Sequence, residues 1–126
     1  GDFNDDPINS SFKKILKTKR KKENVGLKDL YNPYEELHRR GFNTLVYRDN
    51  LNLFDMILIS FPLLDKGEKD FSTYKMFKAM IFNKRFLSGK KGKYKGYPFR
   101  SFSNGGYTGG YSDHYPVYMY LIKEKH

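Results

Sequence analysis

The run Leu53-Phe54-Asp55-Met56-Ile57-Leu58-Ile59 limits the fold more than any other stretch of the chain. It is apolar at both odd and even positions, as expected of a strand in a sheet covered on both sides. Asp55 interrupts it. A carboxylate inside such a strand carries a heavy desolvation cost unless it is paired, so the rest of the chain should supply a partner; the alternative is that Asp55 stands at an exposed strand start and meets only solvent. Two other polar features are candidates to meet it. One is Tyr111-Ser112-Asp113-His114-Tyr115-Pro116, where an acid and an imidazole sit side by side between a glycine-rich loop (Asn104 to Gly110) and the apolar run Val117 to Ile122. The other is Gly1-Asp2-Phe3-Asn4.

Around these, the pattern predicts two helices. After Pro7, Ser10 or Ser11 can cap a helix carrying Phe12, Ile15 and Leu16 at i, i+3, i+4 spacing, fraying into Lys19 to Lys22 and ending before Gly26. The second has Asn32 as N-cap, Pro33 in its first turn, Glu35-Glu36 near its positive end, Arg39-Arg40 near the other, and Gly41 as terminator. His38 reads as a surface side chain of that helix. Thr44 to Arg48 has strand character with a turn at Asp49-Asn50, Pro62 to Asp70 is a polar loop, and Tyr74 to Phe82 is a strand or a short amphipathic turn. Asn83 to Gly96 is basic and loop-like, and Tyr97 to Phe102 a brief extended piece. On the last strand, Val117, Met119 and Leu121 face one way, and Tyr118, Tyr120 and Ile122 the other. Two helices, three or four strands and long loops make the class α/β or α+β, in a single domain of 126 residues.

Composition narrows the chemistry. Aromatic residues reach 17 % while hydrophobic residues are only 38 %, so much of the apolar mass lies in rings with a polar edge. With no cysteine, and one of three histidines at the terminus, neither a disulfide framework nor a structural zinc site is expected. No stretch approaches the roughly 18 to 20 apolar residues of a membrane span, and no signal peptide is expected in these residues. The net charge of +10 favours polyanionic partners such as nucleic acid, phosphorylated substrates or anionic surfaces. It gathers in Lys13 to Lys22 and in Lys90 to Lys95. Each cluster alone reads as a solvated helix end or loop, and a nucleic-acid footprint gains weight if both flank the candidate site.

In an extended backbone Asp2 and Asn4 project to the same side. Asp2 can hold a metal or polarise a water, and the Asn4 amide can donate to a phosphate oxygen and steady Asp2. His114, oriented by Asp55 through one ring nitrogen, can hydrogen-bond a phosphate oxygen or stabilise its charge. Asp113 is free for a hard cation such as Mg²⁺ or Mn²⁺. These groups suit metal-assisted attack of water on a phosphoester. They do not suit a serine triad, because no nucleophile elbow is present.

In order and spacing, Gly1-Asp2-Phe3-Asn4, Asp55-Met56-Ile57-Leu58-Ile59-Ser60 and Ser112-Asp113-His114-Tyr115-Pro116 resemble the C-terminal motifs of the endonuclease/exonuclease/phosphatase superfamily, the pancreatic deoxyribonuclease and exonuclease III type. Tyr47 to Asp55, Ile81-Phe82-Asn83 and Tyr97-Pro98-Phe99-Arg100 are similar to a Bacteroidetes branch of it. The resemblance implies that Asp2 orients or deprotonates the attacking water, and that Asn4 binds the phosphate. It further implies that Asp55 sets the His114 tautomer, His114 contacts the scissile phosphate, and Asp113 lies at or beside the metal. The implied fold is the C-terminal half of a four-layer αββα sandwich: one mainly antiparallel sheet with helices on its outer face.

The family's N-terminal half, with its metal-binding Glu, has no counterpart in these residues. The expectation is therefore a C-terminal portion whose uncovered sheet face meets that missing half or a second copy. Mg²⁺ or Mn²⁺ would bind only when the other half is present, and the chain alone should show little or no nuclease activity. A reading from another class is a non-catalytic basic, aromatic-rich module that holds nucleic acid by stacking and charge. Binding alone does not need Asp55 beside His114, so Asp55→Asn separates the two: affinity survives it in a binding module, and turnover does not in an enzyme.

Overall fold

The computed structural model describes residues 1–125; His126 lies outside them. The second expected helix forms as the sequence dictates. Asn32 accepts a hydrogen bond from the Tyr34 amide, Pro33 opens helix α1 (Pro33–Arg39), and the chain leaves it through Gly41 with φ +85°. The first does not form as an α-helix. Ser11–Ile15 is a single π-type turn, with the Leu16 amide bonded to the Ser11 carbonyl. Lys17 then takes a left-handed conformation and the Thr18 amide reaches back to the Phe12 carbonyl, which ends the turn. Of the three apolar positions only Phe12 is buried, while Ile15 is 78 % exposed. One anchoring side chain gives a longer helix no face to bury.

The strands are β1 (Leu30–Tyr31), β2 (Leu45–Tyr47), β3 (Asn50–Asn52), β4 (Ile59–Ser60), β5 (Lys75–Ile81), β6 (Phe102–Ser103), β7 (Gly106–Tyr107) and β8 (Val117–Ile122). In place of one antiparallel sheet they form four antiparallel pairs, β1–β4, β2–β3, β5–β8 and β6–β7. Single bridges, among them Asp2 to Asp55 and Leu45 to His114, add further pairing between segments. This mixture of helix and small antiparallel strand pairs is compatible with the α+β class. The longest pair, β5–β8, settles Tyr74 to Phe82 as a strand, with a register shift between Met76 and Lys78. No described helix is long and apolar enough to cross a membrane.

Two hairpins turn on adjacent left-handed residues, as type I′ turns require. Arg48 and Asp49 (φ +48° and +63°) join β2 to β3, one residue earlier than the expected turn at Asp49-Asn50, because Tyr47 pairs with Asn50. Asn104 and Gly105 (φ +50° and +78°) join β6 to β7.

The run from Leu53 to Ile59 is not the doubly covered strand its composition suggests. Its buried residues are Leu53, Met56 and Ile59, every third position, whereas a pleated ladder has a period of two. Its backbone donors explain this. The Leu53 amide goes to the Asp6 carboxylate (2.6 Å), those of Phe54 and Asp55 to the Thr44 hydroxyl (3.1 and 3.3 Å), and that of Met56 to the Gly1 carbonyl (3.0 Å). Side chains and the N-terminal segment satisfy what a neighbouring strand would otherwise have satisfied.

The segment feeds two cores. Leu53 and Met56 pack with Phe12, Tyr34, Ile81 and Tyr115, and Ile59 packs with Val25, Tyr31, Leu64 and Met76. Tyr34, fully buried on α1, donates its hydroxyl to the Tyr118 and Met80 carbonyls, tying the helix to β5–β8. Val117 and Met119 of β8 pack toward these cores as expected, whereas Leu121 at the far end is largely exposed.

Candidate active site

Thr44 is the hub. It is fully buried, its hydroxyl accepts from the Phe54 and Asp55 amides, and its carbonyl accepts from the Tyr115 amide at 2.7 Å. One threonine thereby holds the mid-chain acid segment and the late histidine segment side by side. Leu45 pairs antiparallel with His114 directly beyond it. The result is the pairing that the buried acid called for: Asp55 Oδ2 lies 2.7 Å from His114 Nδ1, with the two side chains only 18 % and 25 % exposed.

An ionised carboxylate can only accept, so Nδ1 carries the proton in this pair and Nε2 is the ring atom left for another partner. Among the described residues Nε2 makes no hydrogen bond. The Ser112 hydroxyl accepts from the His114 amide at 3.0 Å and fixes the turn that presents the ring.

Asp2 is brought to the same place from the opposite edge. The Phe3 amide bonds the Phe54 carbonyl and the Met56 amide bonds the Gly1 carbonyl, so Asp2 and Asp55 stand opposite one another as a non-hydrogen-bonded antiparallel pair. In such pairs Cα atoms are about 4.5 Å apart and the side chains share one face. Asp55 therefore has Asp2 opposite it on one side and the His114 ring on its carboxylate.

Asn4 departs from expectation. It is not extended but left-handed, with φ +53°, and its backbone amide rather than its side chain steadies Asp2, donating to Oδ1 at 2.9 Å. The Asn4 side chain is exposed. Asp113 is paired with Arg100, whose Nη2 lies 3.3 Å from its Oδ2.

The donor set can be tested against a divalent cation. Among the described residues no three His, Asp or Glu side chains are placed to hold a metal together. One Asp2 oxygen is engaged by Asn4, one Asp55 oxygen by His114, and Asp113 by Arg100. The residues present do not by themselves make a metal site.

Sequence reasoning did not reveal several supporting contacts. Thr44 is an unremarkable residue in sequence, and its role follows only from where the fold puts it. His38, read as a surface residue, is partly buried with Nε2 3.6 Å from the Asp6 carboxylate, which also accepts from Asn52 and Leu53. Asp5 accepts from Ser11 and Asn9, and those bonds, the Ser11 one foremost, hold its carboxyl below the ordinary value. Of the two basic clusters, Lys13 to Lys22 is partly neutralised on α1, where Lys13 pairs with Glu35 and Arg20 with Glu36, each at 2.8 Å.

Beside the acid–histidine pair lies an open cleft of about 1070 Å³ that includes Asp113 and Lys90, Lys91 and Lys93 of the second cluster. Comparison with known proteins finds no matching curated protein and no matching solved structure. A family model described as the endonuclease/exonuclease/phosphatase family matches residues 1–123. With that match spanning nearly all of its length, the chain belongs to the endonuclease/exonuclease/phosphatase family.

Proposed function

We propose that this chain carries the acid–histidine side of a metal-dependent phosphodiesterase of nuclease type. Family membership supports a phosphoesterase or nuclease-type activity, and enzymes of the family generally use divalent metals. The observation that carries the reading is the 2.7 Å contact between Asp55 and His114 Nδ1, which leaves Nε2 available to a phosphate oxygen. In this reading Asp55 fixes the tautomer and stabilises the imidazolium, and His114 bonds the scissile phosphate. Asp2 accepts a proton from the attacking water or orients it, and the exposed Asn4 amide donates to a second phosphate oxygen.

Asp2 and Asp113 do not by themselves hold Mg²⁺ or Mn²⁺: Asp113 is paired with Arg100, and among the described residues no three acid or imidazole side chains come together, so the metal would need oxygen ligands from elsewhere. The reading therefore includes a second polypeptide segment that supplies those ligands, as the C-terminal half of a four-layer sandwich would require. Phe77, Tyr120 and Ile122 are exposed on the β5–β8 pair and give such a segment an apolar surface to meet.

The test is hydrolysis of bis(4-nitrophenyl) phosphate and of DNA by the chain in its complete polypeptide setting, with Mg²⁺ supplied. His114→Ala and Asp55→Asn should each lower the rate by roughly 10²- to 10³-fold, the cost typical of losing one donor to the developing charge. Turnover that survives both substitutions would remove the reading.

A further inference from the structure

The cleft is walled by the β2–β3 hairpin on one side and by residues 89–108 on the other. Its lining is unusual in two respects at once. Five cations, Arg48, Lys90, Lys91, Lys93 and Arg100, face two carboxylates. Both carboxylates are already engaged: Asp49 lies 3.9 Å from Lys93 and Asp113 lies 3.3 Å from Arg100. Among the described residues Lys90 and Lys91 form no ion pair, and the Arg48 guanidinium rests over the Tyr47 ring at 5.2 Å. Between these charges stand five rings, Tyr47, Tyr94, Tyr97, Phe99 and Phe102. Phe102 is 65 % exposed, and Tyr47 and Tyr94 are likewise more than half in solvent.

The walls are built rather than loose. The Gly89 amide bonds the Tyr97 carbonyl, the Gly96 amide the Gly89 carbonyl, and the Phe99 amide the Leu87 carbonyl, each at 2.8–2.9 Å. The Tyr97 hydroxyl donates to Asp49 across the cleft at 3.3 Å. Gly110 packs directly on the backbone of the Phe99–Arg100 wall, where any Cβ would collide with the Phe99 and Arg100 carbonyls.

The cleft also meets the candidate active site. Asp113, on its lining, is followed directly by His114, and Val46, also on its lining, follows Leu45, the residue that pairs with His114.

We propose that this cleft binds a single-stranded nucleic acid segment, its unpaired bases stacked on the exposed rings and its phosphates on Lys90, Lys91 and Arg48, and that it leads the strand to His114. The proposal deepens the hydrolase reading and rests on it for the direction in which the strand runs. Exposed rings select the single strand: each unpaired base offers a π-face, while a duplex presents only phosphates and groove edges to the same wall. Charge alone would serve a duplex or an anionic lipid equally well. At about 1070 Å³ the cleft lies just above the ~300–1,000 Å³ of small-molecule pockets, room that a run of nucleotides can use.

Equilibrium binding tests this by fluorescence anisotropy in EDTA, with a labelled oligothymidylate, a blunt duplex of the same length, and vesicles of phosphatidylcholine with phosphatidylinositol phosphate as competitor. The single strand should bind at least tenfold more tightly than the duplex. Phe102→Ala and Tyr94→Ala, both at exposed positions, should each weaken it roughly 5- to 150-fold, the fold-change equivalent to about 1–3 kcal/mol per stacked base. Equal affinity for duplex, ring variants that bind like the parent, no binding at all, or displacement of the strand by the vesicles would each overturn the proposal.

Because binding is read without metal or turnover, strand binding together with turnover that survives His114→Ala and Asp55→Asn sinks only the hydrolase reading. Hydrolysis of the small diester without strand binding sinks only the cleft.

Discussion

The acid–histidine corner and the neighbouring cleft are made in opposite ways. At the corner, Thr44 is fully buried, Asp55 and His114 are mostly so, and the amides of residues 53–56 all have fixed partners inside the protein. In the cleft the backbone is held, but the side chains point into solvent and most of the cations are uncompensated. The contrast suits a division of labour. Chemistry on a phosphate needs donors whose position costs no reorganisation at the moment of reaction, whereas stacking and charge tolerate side chains that adjust to what arrives.

The sharpest break in that comparison comes from the corner. If the proposed hydrolysis is carried by this pair, the double variant Asp55→Asn/His114→Ala should lose little more activity than His114→Ala alone, because one residue acts through the other. Additive losses of two full steps, read from kcat/KM, would mean that Asp55 does something other than hold the imidazole.

Next in size is a stability effect. Thr44→Val keeps the shape but removes the oxygen that serves the Phe54 and Asp55 amides, and should cost about 1–3 kcal/mol. Thr44→Ser should recover most of this, as measured by urea denaturation; equal losses for the two variants would assign the effect to packing. Tyr34→Phe should cost less, about 0.5–1.5 kcal/mol, since its hydroxyl serves only as an extra donor to the Tyr118 and Met80 carbonyls. A variant as stable as the parent would show that this cross-tie adds nothing.

On the cleft side the signature is salt dependence. Replacing Lys90 and Lys91 with alanine should flatten the plot of log affinity against log salt by about 0.7 per lysine for a single strand, while Lys13→Ala should leave the slope as it was. An unchanged slope in the double variant would remove phosphate contact from those two positions.

The smallest expected effect concerns pH. The folded-state pKa of Asp5 is depressed by the Ser11 and Asn9 bonds, so the stability it contributes is present above its unfolded value and is lost as pH falls through the lower folded value. Acid titration of the melting temperature should therefore show a shallow loss below about pH 4 that Asp5→Asn lacks.

How far these two regions could be read in the sequence differs for physical reasons. Helix α1 was legible because Asn32, Pro33 and Gly41 act locally, each on its own few bonds. β8 was legible because its length and apolar content leave few alternatives. The pairing of Asp55 with His114 was legible through desolvation: an acid among Leu53, Met56 and Ile57 needs a partner, and the chain holds few candidates. The state of residues 53–59 was not, since an all-apolar run has no periodicity to show whether every second or every third side chain is buried. Nor could composition distinguish four short strand pairs from one sheet, because that outcome depends on Thr44, Asp6 and the N-terminal residues occupying the edges where strands would otherwise add. The cleft was half legible. Lys90 to Lys95 was visible as charge and Asn104 to Gly110 as a glycine-rich loop, but the β6–β7 hairpin inside that stretch was not read, and the meeting of the two walls is tertiary.

Tyr115 gives the arrangement one last property. Its amide is fastened to Thr44, while its hydroxyl donates 3.0 Å to the Gly96 carbonyl and shares a hydrogen bond with Ser88. A single phenol ring thus works as a rigid strut from the acid–histidine pair to the basic loop, and whatever shifts that loop is felt one peptide away from the imidazole.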